Sequence, residues 1–506
     1  MKRLFRVIIV FGVLSAALLV ALIVLLPRLA ESEEVRRQLM AAGSEATGRE
    51  VRFGELDVAL MPPGLRLTDA RVSGPSAEDS PFLEGATIDL RLSWLSLLSL
   101  SVVVDSLVVE GATLRIVRGE DGLELPIPKA DPTVPPEGTP PAPAQETPAS
   151  ADDGEGLDLA VRDVRLRDTR IIFEDRTTEP PVLLEIADLA GQAEGKLLPR
   201  RLDFDFSGVL SSGGGLRLRG NAGAGGAAKL DLDLTEVQVD PFSVYAPPSV
   251  GGMGGKLSGA VSVEQTGSGG DADRIAFDLR LEEGDFALDD VAMQGTLLAK
   301  GTLLDPTGSP SGDFDIDATR AALRYAEFFS KPAGTPARAK GKLRAGPNGA
   351  LRIEETRLKV DSLEADVDAD IGDSTELKVS AKPFDVGSLS RLIPAAAEKK
   401  VEGRASLRKF SVRQTGEKLA FGGEAELAEI RVAGADAPPV EVSGVFVGGG
   451  NYLESEALRV VVGDQTLPIA LRLDGLDATP RFHAKGKAED LDSQALLAAL
   501  ADTGDK

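Results

Sequence analysis

Residues 274–282 read RIAFDLRLE, in which Ile275, Phe277, Leu279 and Leu281 alternate with Ala276, Asp278, Arg280 and Glu282. Successive side chains of a β-strand point to opposite sides, so this spacing predicts a strand with one apolar and one charged face. The same period recurs in Ile88, Leu90, Leu92 and Trp94, in Leu202, Phe204 and Phe206, and in Leu363, Ala365, Val367, Ala369 and Ile371. Such strands belong to antiparallel sheets that meet water on one side only. The period alone leaves two packings open: an apolar trough, or two such faces closed on each other as a sandwich.

The composition of the 506 residues agrees with many short elements, since 55 Gly and 31 Pro punctuate a chain that is 42% hydrophobic and 27% charged. Lys and Arg number 56 against 80 Asp and Glu, a net charge of −24. A field of that sign repels phosphate backbones, so nucleic acid is not expected as a partner. Cysteine is absent and His483 is the single histidine. That disfavours disulfides, thiolate chemistry, Ser-His-Asp catalysis and histidine metal sites together, so neither an enzyme nor a cofactor is expected.

Several motifs resemble sites and fail on detail. Gly251 to Lys256 suggests a phosphate loop, but Val250 stands where the first Gly is required and Leu257 where Ser or Thr should follow. Gly220 to Gly226, GNAGAGG, lacks the helix and the acidic residue of a dinucleotide site and reads as a hairpin turn. Asp313, Asp315 and Asp317 alternate with Phe314 and Ile316, which is the pattern of a solvated strand face rather than a calcium loop. His483 sits at a strand position without a carboxylate cluster beside it.

At the N-terminus, Val7 to Leu26 is an uncharged apolar run of 20 residues. As a helix it would span roughly 30 Å, the thickness of a bilayer core. Lys2, Arg3 and Arg6 precede it and Glu31, Glu33 and Glu34 follow, so residues 1–6 are expected in the cytoplasm and the body outside. The run is longer than a signal-peptide core and Pro27-Arg28-Leu29 makes no small-residue cleavage site, which favours an uncleaved anchor. Ser32 is then expected to cap a helix with Val35, Leu39, Met40, Ala42 and Ala46 on one side, stopped by Gly48.

Beyond the anchor the chain divides into a module at 27–125, a Pro-rich linker at 126–156 that has little to bury, and a long β-rich body at 157–506. Gly213 to Gly215, Gly251 to Gly255 and Gly448 to Gly450 are expected as hairpin connections. The body repeats itself: the segment from Val239 to Gly267 lines up with that from Phe384 to Gly416, each passing from an Asp through a short helical turn to a Gly and a strand. Glu489 to Leu497 echoes the first half of this unit.

The stretch VRRQLMAAGSEATGREVRFGELDVALMPPGLRLTDARVSG resembles the N-terminus of the AsmA family of bacterial envelope proteins, with Thr47, Gly48, Arg49, Gly54 and Pro62 in the family's places. FLEGATIDLRLSWLSLLSLSVVVDSLVVEGATLRIVRGEDG continues the likeness, although Leu123-Glu124 replaces the frequent Asn-Trp. LAVRDVRLRDTRIIFEDRTTEPPVLLEIADLAGQAEG and the repeat at Asp240, Asp385 and Asp490 are similar to later family segments, so the likeness covers nearly the whole chain.

The resemblance implies relatedness to chorein-type bridge lipid transporters, whose fold is an elongated, curved antiparallel β-sheet groove with a few short helices. It implies a single-pass bacterial inner-membrane protein with a periplasmic body that carries phospholipid, or alternatively an envelope assembly factor that binds other envelope proteins. On this reading Leu90, Leu92, Trp94, Phe204, Phe206, Phe277, Leu279, Leu281 and Val367 line the groove.

Overall fold

In the computed structural model the described residues are 33–60, 62–74, 80–93, 103–120, 122–124, 160–197, 200–223, 226–246, 249–267, 273–346, 350–372, 374–397, 399–416, 418–432, 439–463, 465–475 and 481–487. Val7–Leu26, Ser32, Trp94, the stretch 126–156 and Asp490 lie outside them. Among the described residues no helix is long and apolar enough to cross a membrane. The fold is mainly β, built from antiparallel strands with few helices, and it divides into two units, Met1–Ala224 and Gly225–Lys506.

The first unit opens with helix α1, Glu33–Thr47, whose first turn carries Glu33 and Glu34 where the helix dipole favours negative charge. Gly48 (φ 64°) then takes the left-handed conformation that ends a helix. Strands Val51–Arg52 and Leu56–Leu60 both pair with Pro63–Val72, which pairs with Leu83–Leu92 and so on to Val103–Glu110. There the direction departs from expectation. Val103–Glu110 and Thr113–Gly119 lie parallel to Asp163–Asp175, so strands on both sides of the Pro-rich stretch share one sheet. Parallel neighbours need a crossover of a dozen or more residues, and that stretch supplies the length. Val182–Leu197, Arg200–Leu210 and Gly215–Gly223 follow in antiparallel order.

The second unit runs from Ala228–Gln238 to Arg481–Gly486, nearly every strand pairing with its neighbours in sequence. Ser311–Asp317 and Ala321–Tyr325 depart from this by sharing Val291–Leu304 as partner. Helices α2 (Val386–Ser390) and α3 (Pro394–Ala397) and a 3₁₀ turn (Asp240–Tyr245) fall at connections between strands.

Direct opposition across a ladder puts two side chains on the same face, so the register decides which residues share a surface. In the first unit Leu56, Leu67, Ile88, Val109, Leu166, Gly191, Phe206 and Leu218 form one cross-strand row. In the second, Leu232, Val261, Phe277, Gly301, Phe314 and Gly341 form another. Leu343, Ile353, Ala369, Leu377, Val412 and Phe421 make a third. Each unit thus gathers its apolar positions on one face.

The strands are longer than simple alternation allows, because they are interrupted by bulges of one design. Asp69, Asp168, Asp188, Glu236, Glu283, Glu355, Lys409 and Glu429 take left-handed φ values from 46° to 53° beside shifts of register. Two residues before each stands Leu or Ile: Leu67, Leu166, Ile186, Leu234, Leu281, Ile353, Leu407 and Leu427. The residue after is usually buried, as are Ala70, Thr169, Leu189, Val237, Thr356 and Ile430. One extra residue on the bulged strand would flip all that follows to the other face, but here residues i and i+3 face the same side. Leu281 and Gly284 stand opposite Leu297 and Gly295, two apart on an unbulged strand. Bulges of this type bend their strand and increase its twist.

The bulge withdraws one N–H from the ladder, and a neighbouring strand accepts it. Glu236 N–H donates to Ser258 Oγ (2.9 Å), Lys409 to Ser380 Oγ (3.2 Å), Glu429 to Ser443 Oγ (2.9 Å) and Glu355 to Asp368 Oδ1 (2.9 Å).

The internal repeat is present in the fold at its first two sites. Asp240 opens the 3₁₀ turn, and the Asp385 carboxylate accepts the Gly387 N–H (2.8 Å) as the cap of α2. The two copies then place Gly255 (φ 119°) and Gly403 (φ 120°) beside the bulges at Glu283 and Glu429. A Cβ would lie 2.8 Å from Glu282 O at Gly255 and 2.4 Å from Glu429 O at Gly403, so both positions demand glycine. Gly251 to Gly255 are therefore part of strand Val250–Gln265 and not the expected hairpin connection, and Gly448 to Gly450 end strand Val440–Gly450. Gly213 and Gly214 do make the expected turn.

Replacing Ser443 with Ala strands the Glu429 N–H in its bulge and is expected to cost about 1 kcal/mol. Glu429→Val, a β-branched residue forced to positive φ, should cost at least as much, whereas Glu429→Gly should be nearly neutral. Urea midpoints at constant slope decide it; if Val and Gly behaved alike, the left-handed bulge would be the wrong description.

Candidate functional site

The apolar faces are the feature to which the register leads. Leu90 and Phe204 stand in one row of the first unit, Val58-Leu65-Leu90-Leu107-Val164-Ala193-Phe204, with Phe206 in the adjacent row and Leu92 opposite Val104. In the second unit Phe277 lies between Val261 and Gly301, Leu279 between Gly259 and Ala299, and Leu281 between Leu257 and Leu297. Val367 faces Thr356 and Val379 farther along. Within each unit these residues share a face.

The expected lining residues Leu90, Leu92, Phe204, Phe206, Phe277, Leu279, Leu281 and Val367 are half-buried, while Val104, Ala193 and Thr356 beside them are buried. Other neighbours on the same faces are more open: Leu202 is 42% exposed, Ile316 36%, Ile371 42% and Leu377 38%. Residues between two closed sheets would be almost wholly buried, as core residues are. The apolar faces are uncovered along these rows, which disfavours the sandwich packing. Large side chains beside glycine lie down on it. A Cβ at Gly301 would be 2.7 Å from Phe277 Cζ, and one at Gly191 2.6 Å from Phe206 Cδ1. The rings therefore cover the neighbouring strand instead of standing out from the face.

One part of the first unit's apolar face is covered. Val35 and Met40 of α1 pack with Leu67, Ile88 and Val109 against the buried cluster of Phe53, Leu56, Ala70, Ala86 and Ala112. Leu39 and Ala42, expected on that side of the helix, are exposed.

The opposite faces carry cross-strand ion pairs, among them Asp278 with Lys300 (2.8 Å), Asp317 with Arg338 (2.6 Å) and Glu454 with Arg472 (3.0 Å). Lys256, weighed above in a phosphate loop, pairs instead with Glu283 (2.9 Å). Hydrogen bonds from Arg176 (2.8 Å) and Arg115 (3.0 Å) hold the Glu174 carboxyl below the usual glutamate range, against some opposition from burial. Arg217 does the same to Asp205, and Lys359 to Glu364. Burial pushes Glu376 up, but hydrogen bonds from Arg413 and Lys378 outweigh it and leave the group lowered. Among the described residues no group of three or more acids and histidine is placed to hold a metal ion.

Residues 1–196 match the model of the AsmA family. Over that span the chain is similar to proteins of the AsmA family. No curated protein and no solved structure matches it. The match ends within strand Val182–Leu197, so it covers α1 and most of the first unit's sheet, and the likeness expected farther along from motif order lies beyond it.

The AsmA-family positions cluster where α1 meets the sheet. Thr47 Oγ1 donates to Gly43 O (2.8 Å), Gly48 stops the helix, and Arg49 Nη1 donates to Gly74 O (3.0 Å) while its guanidinium lies 5.2 Å from the Phe82 ring. Gly54 N–H donates to Thr68 O (2.8 Å) beside the Asp69 bulge, and Pro62 sits in the tight turn before Pro63–Val72. Thr47, Gly48 and Arg49 join helix to sheet, whereas Gly54 and Pro62 lie in the connections before Leu56–Leu60 and Pro63–Val72. The bulge residues escaped the strand reading, though a signal existed: alternation that changes phase at Leu or Ile, any residue, then usually an acid.

Two outcomes are expected. Glu174→Gln should cost about 1 kcal/mol at neutral pH. Because the folded carboxyl is lowered, that stabilisation is complete above the ordinary glutamate range and fades as pH falls through the folded value, so the Tm gap to the parent should close in acid. A gap independent of pH would refute the assignment. Separately, a Cβ at Gly43 would lie 3.5 Å from Val51 Cβ. In this cysteine-free chain, Gly43→Cys with Val51→Cys should oxidise to a disulfide, protect both thiols from maleimide and add about 2–3 kcal/mol. Continued labelling of both thiols would show that α1 does not dock there.

Proposed function

We propose that this AsmA-family protein is a non-enzymatic carrier of phospholipid, anchored in a bacterial inner membrane by Val7–Leu26 with its body in the periplasm. The family match supports an envelope-associated protein. The carrying observation is the uncovered apolar face of each unit, which lines up Leu, Ile, Val and Phe across many strands and sets the ion pairs on the other side. Burying a methylene is worth about 0.8 kcal/mol, so acyl chains laid on such a face are held against water. Neighbouring positions are chemically equivalent, which lets a chain slide from one to the next. The scarcity of aromatic residues, 4% of the chain, suits sliding on an aliphatic lining better than tight recognition.

A non-catalytic role is supported by the single histidine, the absence of cysteine and the carboxylates, whose displaced titrations run downward among the described residues. A catalytic acid needs the reverse. The second reading, an assembly factor that binds envelope proteins, is favoured by one observation, a sheet edge at Arg481–Gly486 that has no second partner strand among the described residues.

Leu279 tests the carrier reading well, because its cross-strand neighbours are Gly259 and Ala299 and its face is open. Phospholipid should copurify with the full chain and be visible by native mass spectrometry. Leu279→Asp with Phe277→Asp should keep the circular dichroism spectrum and reduce the bound lipid several-fold. A parent protein free of lipid, or a variant with undiminished lipid, would overturn the proposal.

A further inference from the structure

The strand Arg481–Gly486 pairs with Gln465–Asp474 and, among the described residues, with nothing on its other side. All six of its residues are exposed, and Phe482 is 75% exposed. An edge of this kind presents a row of backbone donors and acceptors that another strand can satisfy. Its side chains are sorted by face. Phe482 and Ala484 stand opposite Leu473 and Leu471 on the apolar side, while Arg481, His483 and Lys485 stand opposite Asp474, Arg472 and Ala470 on the charged side. The edge therefore offers three basic groups in alternation, in a chain whose net charge is −24.

The same unit shows what such a strand pairs with. Ala337–Ala345 carries Arg338, Lys340 and Lys342 in the same alternation. Its partner is Ser311–Asp317, in which Asp317, Asp315 and Asp313 stand opposite those three bases, with Ile316 and Phe314 between them on the apolar side. Arg338 reaches Asp317 at 2.6 Å and Lys340 reaches Asp315 at 3.7 Å. Arg481–Gly486 is a second basic strand of this kind, and among the described residues Arg481 and Lys485 have no ion-pair partner.

We infer that the edge Arg481–Gly486 accepts an extended segment of a partner protein in which acidic residues alternate with apolar ones. The acids face Arg481, His483 and Lys485, and the apolar residues continue the face formed by Phe482 and Ala484. Main-chain hydrogen bonds supply attachment and the charge alternation supplies register and choice of partner. This holds independently of whether lipid occupies the apolar face. The competing role for basic residues on an edge is to keep other strands away.

The test uses the purified full chain and a fluorescein-labelled peptide SGDFDID, the sequence of Ser311–Asp317. Fluorescence anisotropy should show saturable binding, at least tenfold tighter than for a scrambled peptide of the same composition or for a peptide with Lys in place of each Asp. Arg481→Glu with Lys485→Glu should weaken the acidic peptide at least tenfold and strengthen the lysine peptide, with the urea midpoint confirming that the variant is folded. Equal binding of ordered and scrambled peptides would reduce the effect to net charge and overturn the inference. Absence of binding, or indifference to the charge reversal, would assign the edge bases to repelling strands and overturn it as well.

Discussion

Everything in this molecule depends on strands pairing in a register that keeps apolar residues opposite apolar residues. The side-chain period of a strand is two, so a slip of one residue would carry Phe277, Leu279 and Leu281 to the charged face and bring Asp278 and Arg280 among Val261 and Gly301. Each strand inherits its phase from the one before it. The bulges are where that phase is managed: an additional residue bends the strand, and its left-handed conformation restores the face, so that Leu234 and Val237 both look the same way. Ser258, Ser380 and Ser443 belong to the same device, since they accept the N–H that the bulge removes from the ladder.

A sheet that leaves one apolar face open cannot depend on a thick core. Burial is concentrated where something covers that face. In the first unit α1 packs beside Phe53, Leu56 and Ala86; in the second Met293, Ala318, Ala321 and Ala337 gather under Leu281, Phe286 and Leu323. Many of the buried residues elsewhere are small or plug a bulge. Exposed ion pairs on the other face contribute little each, typically under about 1 kcal/mol, but they set charge opposite charge and so resist slippage. The open rows are the part of the surface whose apolar area has no partner within the described chain. On the proposed carrier reading, acyl chains would cover these rows.

The repeated unit explains how such a sheet grows. A strand ends, an Asp opens a short helical turn, and the next strand begins with a glycine set against a bulge on its neighbour, once at Gly255 and again at Gly403. Addition of strands one after another leaves an edge, and the edge at Arg481–Gly486 is patterned like the basic strand Ala337–Ala345. Extension and docking then use the same pairing rule.

The alternation in RIAFDLRLE and its kin was enough to establish strands, their two faces and the mainly β class, because side-chain direction in a strand follows from local geometry. Helix α1 and its stop at Gly48, the turn at Gly213, the repeat beginning at Asp240 and Asp385, and the AsmA likeness of the N-terminal region were legible for the same reason. What local pattern does not contain is which strand lies beside which. Only the tertiary structure decided that Val103–Glu110 runs parallel to Asp163–Asp175, that Gly251 to Gly255 sit inside a strand, and that Arg49 reaches Gly74 and the Phe82 ring. It also bears on trough against sandwich, since alternation is identical in both and the exposure of residues such as Ile316 and Leu377 disfavours the sandwich along those rows. Faces are a property of one strand, whereas their covering is a property of the whole sheet.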